Sequence, residues 1–277
     1  MPNLSTISDT RKITYQERAQ FYDVEYVTDV DQHFLQSLVS SDVYSILEVP
    51  CGSGRNVSWL AETGCFVTQV DLEKSMVDKV KEKIKQANRQ DRMLAIVSDM
   101  RDMNLEREFD LVLVPQEAFQ LLANEHDAIK ALLSFRKHLS MDGTIMIDLA
   151  TFSHKSKSHI GPSYYDPSFP NGELIREWTR QLPNGKSLTR SRIQHDLPSS
   201  LIVEFFYEIE GNNQKETYVT NMLLRKYDFD HFRSLCKETA LEVTEVYGDY
   251  NRASYTTDSE RMILLLKKKL MLRGVSL

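Results

Sequence analysis

In the run Ile46-Leu47-Glu48-Val49-Pro50-Cys51-Gly52-Ser53-Gly54-Arg55-Asn56-Val57, a strand-like apolar segment passes through two glycines into a helix-like one. Gly52 and Gly54 permit positive φ and let a ligand approach the backbone, while the N–H groups that open the following helix favour a negative ligand group. Such a turn holds a nucleotide phosphate or an amino-acid carboxylate, or is only a turn. Asp71 ends the next strand-like run, Val67-Thr68-Gln69-Val70-Asp71, where a carboxylate can accept both hydroxyls of a ribose at the carboxyl edge of a sheet. Hydrogen bonds to a charged group of that kind contribute roughly 1.5–3 kcal/mol each. Ser98-Asp99-Met100 closes the third run, placing a polar and an apolar side chain where a base would lie. Asp99 reads equally well as a cap or turn residue.

Such residues must be held by regular elements, and the pattern supplies them. From Tyr44 onward strand-like and helix-like stretches alternate. The strands are Ser45 to Val49, Cys65 to Val70, Leu94 to Val97, Phe109 to Val114 and Gly143 to Leu149; the helices are Asn56 to Glu62, Lys74 to Gln90 and Glu125 to His138. This rhythm predicts a parallel sheet with helices on both faces, and runs as apolar as Ser45–Val49 and Asp110–Val114 suit strands buried on both sides. Before them, the first 40 residues carry a helical pattern of aromatic and apolar positions. After them, Asn184-Gly185 and Gly211-Asn212-Asn213 each separate two alternating runs, which predicts an antiparallel meander of about four strands from Glu173 to Arg225. A helix at Asp230 to Thr239 and strands at Leu241 to Tyr247 and Arg261 to Lys267 close the chain. The expected organisation is therefore a helical cap over 1–40, an α/β domain over 41–150 and 226–277, and an insertion over 151–225.

Composition narrows the function classes. With 41% hydrophobic and 27% charged residues in 277, the chain is neither disordered nor fibrous, and its length suits one elaborated core. The net charge of −6 repels phosphate backbones, and the one basic trio, Lys267 to Lys269, reads as a solvated strand end, so nucleic acid is not the expected partner. No apolar stretch reaches membrane-spanning length and MPNLSTISDTRK has no signal-peptide core, which leads to the expectation of a cytoplasmic protein without a membrane partner. Cys51, Cys65 and Cys236 share no metal-ligand spacing and the seven histidines form no HExxH pair, so reduced thiols and no metal site are expected.

The series Glu48-x-x-x-Gly52-x-Gly54, Asp71, Asp99-Met100 and Asp110-Leu-Val-Leu-Val-Pro115 resembles the class I S-adenosylmethionine-dependent methyltransferases. The resemblance covers Tyr44 to Leu149, and Leu241 to Lys267 matches the terminal antiparallel strands of that fold in pattern. It departs at Pro50, where the family usually carries glycine. It implies a doubly wound, mostly parallel seven-stranded Rossmann-like sheet, methyltransferase activity and S-adenosylmethionine as cofactor, with S-adenosylhomocysteine as product. It further implies that Gly52 and Gly54 lie against the methionine part of the cofactor, that Glu48 orients the turn, and that Asp71 holds the ribose. Leu72, Asp99 and Met100 would bracket the adenine, Pro115 and Gln116 would stand beside the transferring methyl group, and Tyr15 and Met76 complete the cofactor set. A nicotinamide oxidoreductase uses a similar turn, but its fingerprint needs a third glycine where Val57 stands. A non-catalytic cofactor-binding regulator is the other alternative.

The acceptor is less constrained. Base methyltransferases resemble one another in an Asn/Asp-Pro-Pro-aromatic sequence after the fourth strand, where this chain has Val114-Pro115-Gln116-Glu117. The cap and meander are similar in arrangement to small-molecule N-methyltransferases of natural-product pathways, which implies a small-molecule or peptide amine as acceptor; a monomer or dimer is expected. Tyr15, Phe21, Tyr22 and Tyr26 are candidates for an aromatic wall, with Asp23, Glu25, Asp29 or Asp31 attracting a cation; an amphipathic helix with a solvated acidic face is the plainer reading. Gln116 and Tyr22 are the candidates to touch the reacting atoms, and Tyr164, Tyr165, Asp166 and Trp178 to line the acceptor channel. The opening SDTRKITYQERAQFYDVEYVTDVDQHFL and the ExPCGSGR turn also resemble the enzymes that dimethylate the N-terminal arginine amine of plantazolicin.

Overall fold

The computed structural model describes residues 10–153, 164–212 and 214–269. In chain order the elements are β1 (Arg11–Lys12), α1 (Tyr15–Glu25), α2 (Gln32–Gln36), β2 (Ser45–Glu48), α3 (Val57–Leu60), β3 (Phe66–Asp71), α4 (Lys74–Gln86), β4 (Met93–Val97) and β5 (Phe109–Val114). A 3-10 turn (Ala118–Leu121), α5 (Glu125–Lys137) and β6 (Leu139–Ala150) follow. The remainder is β7 (Ile175–Gln181), β8 (Ser187–Asp196), β9 (Ser200–Gly211), β10 (Gln214–Arg225), α6 (Phe229–Glu238), β11 (Leu241–Tyr247) and β12 (Arg261–Lys268).

Seven strands form one sheet in the order β11-β12-β6-β5-β2-β3-β4. The pairs β2–β3, β2–β5, β3–β4 and β5–β6 are parallel, whereas β12 runs antiparallel to both β6 and β11. This is the doubly wound, mostly parallel sheet expected. Strand side chains alternate between faces, so neighbouring residues serve different cores. Leu47, Val112 and Val114 join Phe135 of α5 and Phe232 of α6 on one side. Ile46, Leu111 and Leu113 join Phe34 of α2, Trp59 of α3 and Val80 of α4 on the other. Burial on both faces explains why these strands read as unbroken apolar runs.

The second sheet has the order β1-β10-β9-β8-β7. Along β8 and β9 burial alternates strictly, and Leu188, Leu201, Val203, Phe205 and Tyr207 face a third core with Ile13, Phe21, Phe152 and Tyr164. Gln120 ties the two sheets together. Its amide donates to the carbonyls of Ala150 and Arg225, at 3.1 and 2.9 Å, and its oxygen accepts the N–H of Ala150 at 2.8 Å.

Several local expectations are corrected. The opening 40 residues are not helical throughout: Arg11 and Lys12 pair in parallel with Tyr218 and Val219, a partner far away in sequence that no local periodicity reports. The helix after the glycine turn is only Val57–Leu60, because the turn itself extends to Asn56. The helix expected to reach Gln90 stops at Gln86, with Asn88 in the left-handed conformation beyond it (φ 56°). All three cysteines are free and buried. No described helix is long and apolar enough to cross a membrane.

Candidate active site

The glycine turn closes onto the end of the neighbouring strand. After β2, the N–H of Cys51 donates to the carbonyl of Val70 at 2.8 Å, and the N–H of Gly52 to the Asp71 carboxylate at 2.8 Å. The other Asp71 oxygen accepts the N–H of Glu73 at 2.9 Å. Gly52 has φ +53°, and a Cβ there would lie 3.2 Å from the Tyr22 ring. Gly54 has φ +84°, and a Cβ there would meet methyl groups of Val57 and Val80 at 2.9 and 3.0 Å. Both glycines are thus required, one facing the cap and the other by packing under the turn. Pro50, where related turns carry glycine, follows a cis peptide bond from Val49.

Glu48 anchors the far side of the turn from beneath. Its carboxylate accepts from the side-chain amides of Asn56 and Gln69, at 2.5 and 2.6 Å, and Asn56 in turn accepts from the Trp59 indole at 2.9 Å. Burial pushes the Glu48 carboxyl up to about 7, against the two amide bonds that favour its ionised form. Burial also raises Asp71, against its backbone hydrogen bonds.

A cavity of about 540 Å³ opens above these strand ends, within the usual range for a small-molecule site. Glu48, Gly52, Asp71 and Leu72 line it after β2 and β3, and Asp99, Met100 and Pro115 beyond β4 and β5. Gln116, Tyr22, Tyr26 and Tyr164 line it as well, with Tyr22 beside Gly52, so one cavity holds both the glycine turn and the aromatic rings. Tyr22 and Tyr26 lie 4.3 Å apart between ring centroids, and the Tyr26 hydroxyl donates to that of Tyr164 at 2.6 Å. Beneath these rings runs a buried ionic cluster. Glu25 accepts from Arg18 at 3.1 Å, from Arg190 at 2.8 Å and from the Tyr207 hydroxyl at 2.6 Å, and Arg190 also reaches Glu177 at 2.7 Å.

Other candidate residues lie away from the cavity. Phe21 packs on Tyr207 with 4.9 Å between centroids and belongs to the core of the second sheet. Met76 is fully buried on α4. Asp31 is held by the Arg55 guanidinium at 2.5 and 2.7 Å, and Asp23 by Lys79 and Lys83 at 2.8 and 2.9 Å, which draws its carboxyl down to about 2 against burial. Together with Glu25 they are therefore spent on internal cations instead of facing an acceptor. Trp178 lies under Arg180 and Arg190 at 4.4 and 5.0 Å, Tyr165 packs on Phe152, and Asp166 caps the N–H of Ser168 at 2.8 Å. None of the three lines the cavity. The side chain of Tyr15, at the start of α1, lies outside the described residues.

The structure adds residues that the sequence reading passed over. Arg55, Leu121, Leu122 and Met222 line the cavity, and Arg101 bridges Asp99 and Asp127 at 2.5 and 3.1 Å along its rim. Met222 comes from β10, so only the meander's register brings it there. The turn after β5 was a missed signal of another kind: Asp148 interrupts the apolar run Ile145-Met146-Ile147, and a carboxylate in a buried strand demands a cation. That cation is Arg261, at 2.7 Å.

Comparison with known proteins accords with this arrangement. Residues 46–143, from β2 into the start of β6, match the family described as "Methyltransferase domain". The cypemycin N-terminal methyltransferase of a Streptomyces species is 24% identical over 229 residues, covering 82% of this chain and 84% of that protein. An S-adenosylmethionine-dependent methyltransferase from Clostridium acetobutylicum superposes with a TM-score of 0.73 at 15% identity, covering 91% of this chain and 98% of the other. The chain carries a methyltransferase domain and has the fold of S-adenosylmethionine-dependent methyltransferases. The sugar N-methyltransferase KedS8 of a Streptoalloteichus species shares the methyltransferase fold with a TM-score of 0.69 at 15% identity, with 98% of each chain covered. S-adenosylmethionine is the cofactor of this methyltransferase, and the cavity suits its chemistry: a close-approach glycine turn, a buried carboxylate at a strand end, and the apolar Leu72 and Met100 beside the polar Asp99.

Proposed function

We propose that this methyltransferase transfers a methyl group to an amine nitrogen of a peptide or small natural product. The observation that carries the reading is that one cavity is lined by Gly52 and Asp71, by Gln116, and by Tyr22, Tyr26 and Tyr164. In this reading Gly52 and Gly54 receive the methionine part of the cofactor, Asp71 the ribose, and Leu72, Asp99 and Met100 the adenine, while Glu48 keeps the turn in place. When bound, the cofactor supplies an electrophilic methyl carbon on a positively charged sulfur. Pro115 and Gln116 border the place where that carbon and the acceptor meet.

The chain's own contribution is positioning and exclusion of water. A protonated amine has no lone pair to give, and enclosure away from water disfavours the charged form by desolvation. The Gln116 amide oxygen is suited to accept an N–H of the neutral amine and so fix the direction of its lone pair. The relatives support an amine acceptor, one being an N-terminal methyltransferase and another a sugar N-methyltransferase. The narrower reading is an arginine-initiated peptide of the plantazolicin type, twice methylated on its α-amine, which rests on the sequence of the N-terminal segment. Among the described residues Asp23, Glu25 and Asp31 already pair with cations, so its guanidinium would lie on tyrosine faces.

The test is mass spectrometry of methyl transfer from labelled S-adenosylmethionine to arginine-initiated peptides, peptides with other first residues, amino sugars and simple carboxylates. Label on an amine nitrogen supports the proposal. Label on carboxylates alone overturns it, and amines labelled without any arginine-initiated peptide remove the narrower reading.

A further inference from the structure

Gln116 follows a strand of the first sheet, the tyrosine wall comes from α1 and the segment before β7, and one side chain spans them. Gln116 and Glu117 follow β5 with φ of 51° and 63°, two successive non-glycine residues in the left-handed region. Such residues are strained and persist only where neighbouring bonds enforce them. Here Asp148 does so: its carboxylate accepts the N–H of Gln116 at 3.0 Å, and its carbonyl that of Glu117 at 3.0 Å. Arg261 donates to both Asp148 oxygens, at 2.7 and 3.0 Å, and the Tyr250 hydroxyl to one of them at 2.8 Å.

The turn is thus held without the side chain of Glu117. Yet Glu117 is 1% exposed and buried as a second carboxylate on the same guanidinium, with one oxygen accepting from Arg261 at 2.9 Å. Burial pushes its carboxyl upward against the pull of Arg261, so its retention there is costly. Its other oxygen accepts the backbone N–H of Tyr164 at 3.3 Å. The Tyr164 carbonyl accepts from Arg192 at 2.9 Å, and its hydroxyl accepts from Tyr26 at 2.6 Å. Bonds therefore run unbroken from the Gln116 turn through Glu117 to the wall.

We infer that Glu117 is a positioning residue for methyl transfer, fastening Tyr164, and through it Tyr26, at a set distance from the turn that carries Gln116. Glu117 does not itself line the cavity, and it acts on the acceptor only through these neighbours. The inference rests on the reading that the tyrosine-lined part of the cavity receives the acceptor amine.

The experiment compares the full chain with Glu117→Ala and Glu117→Gln in three measurements: hydrogen exchange across Tyr164 to Asp166, S-adenosylmethionine affinity by calorimetry, and steady-state kinetics with an amine that the unaltered chain methylates. Glu117→Ala is expected to speed exchange at Tyr164 and lower acceptor kcat/KM, each about tenfold or more, with cofactor affinity changed less than about threefold. Glu117→Gln, with one acceptor oxygen left for two donors, falls between. Unchanged exchange at Tyr164 overturns the inference, as does a loss of cofactor affinity equal to the loss in acceptor kinetics. Unfolding of both variants overturns it too, by showing a general core role. If the unaltered chain methylates no amine, the proposed function fails separately, and hydrogen exchange still judges the tie between Glu117 and Tyr164.

Discussion

Asp71 accepts the backbone N–H of Gly52 across 2.8 Å, so the end of β3 and the glycine turn after β2 form one rigid edge of the cavity. The same carboxylate is the group expected to grip the ribose, which couples cofactor binding to the shape of the turn. Asp71→Ala should weaken S-adenosylmethionine about tenfold or more in a calorimetric titration, since the loss of 1.4 kcal/mol already gives that factor. Unchanged affinity would remove Asp71 from the cofactor site.

Glu48 links folding to pH. Its folded value, about 7, lies above the ordinary 4.5, so the protonated carboxyl favours the folded state. That contribution is complete below 4.5 and is lost as the pH rises through about 7, amounting to about 3 kcal/mol. Glu48→Gln removes the ionisation. Urea unfolding at about pH 5 and about pH 8 should show the variant gaining on the unaltered chain as pH rises. A difference that stays constant with pH contradicts this.

Gly54 and Gly64 separate packing from backbone strain. Both have positive φ, +84° and +77°, but a Cβ at Gly54 would meet Val57 and Val80 within 3.0 Å, whereas nothing lies within 4 Å of one at Gly64. Gly54→Ala should therefore cost about 2–3 kcal/mol and Gly64→Ala about 1 kcal/mol, read as the fall in unfolding free energy. Equal costs would mean that the turn relaxes freely.

Glu25 is the anion of a buried cluster with Arg18, Arg190 and Tyr207 beneath the cap. Glu25→Ala leaves two guanidinium groups without their shared carboxylate and should cost about 3–5 kcal/mol in denaturant unfolding. A loss below about 1 kcal/mol, typical of exposed pairs, would show that water reaches these cations.

How far the sequence reveals this molecule depends on whether a residue's role is local. The central strands were legible because burial on both faces writes them as apolar runs such as Leu111 to Val114. The glycine turn and Asp71 were legible because φ and strand position are local properties. The roles of Phe21, Trp178 and Asp31 were not, since an aromatic or acidic side chain serves a core, an ion pair or a ligand alike, and only the tertiary partner decides. Arg55 claims Asp31, and Tyr207 claims Phe21. The pairing of Arg11 with Tyr218 and the reach of Glu117 to Tyr164 join distant segments, and leave no periodic trace at either end.

The central claim is that cofactor and acceptor meet in one cavity over the tips of β2 to β5. A crystal structure of the chain with S-adenosylhomocysteine tests it most directly. The account predicts the nucleoside across those tips, with its ribose on Asp71, its amino-acid end over Gly52 and Gly54, and its sulfur turned toward Gln116 and the tyrosines. Density for the compound at any other place, or with its sulfur directed away from Gln116, would contradict it.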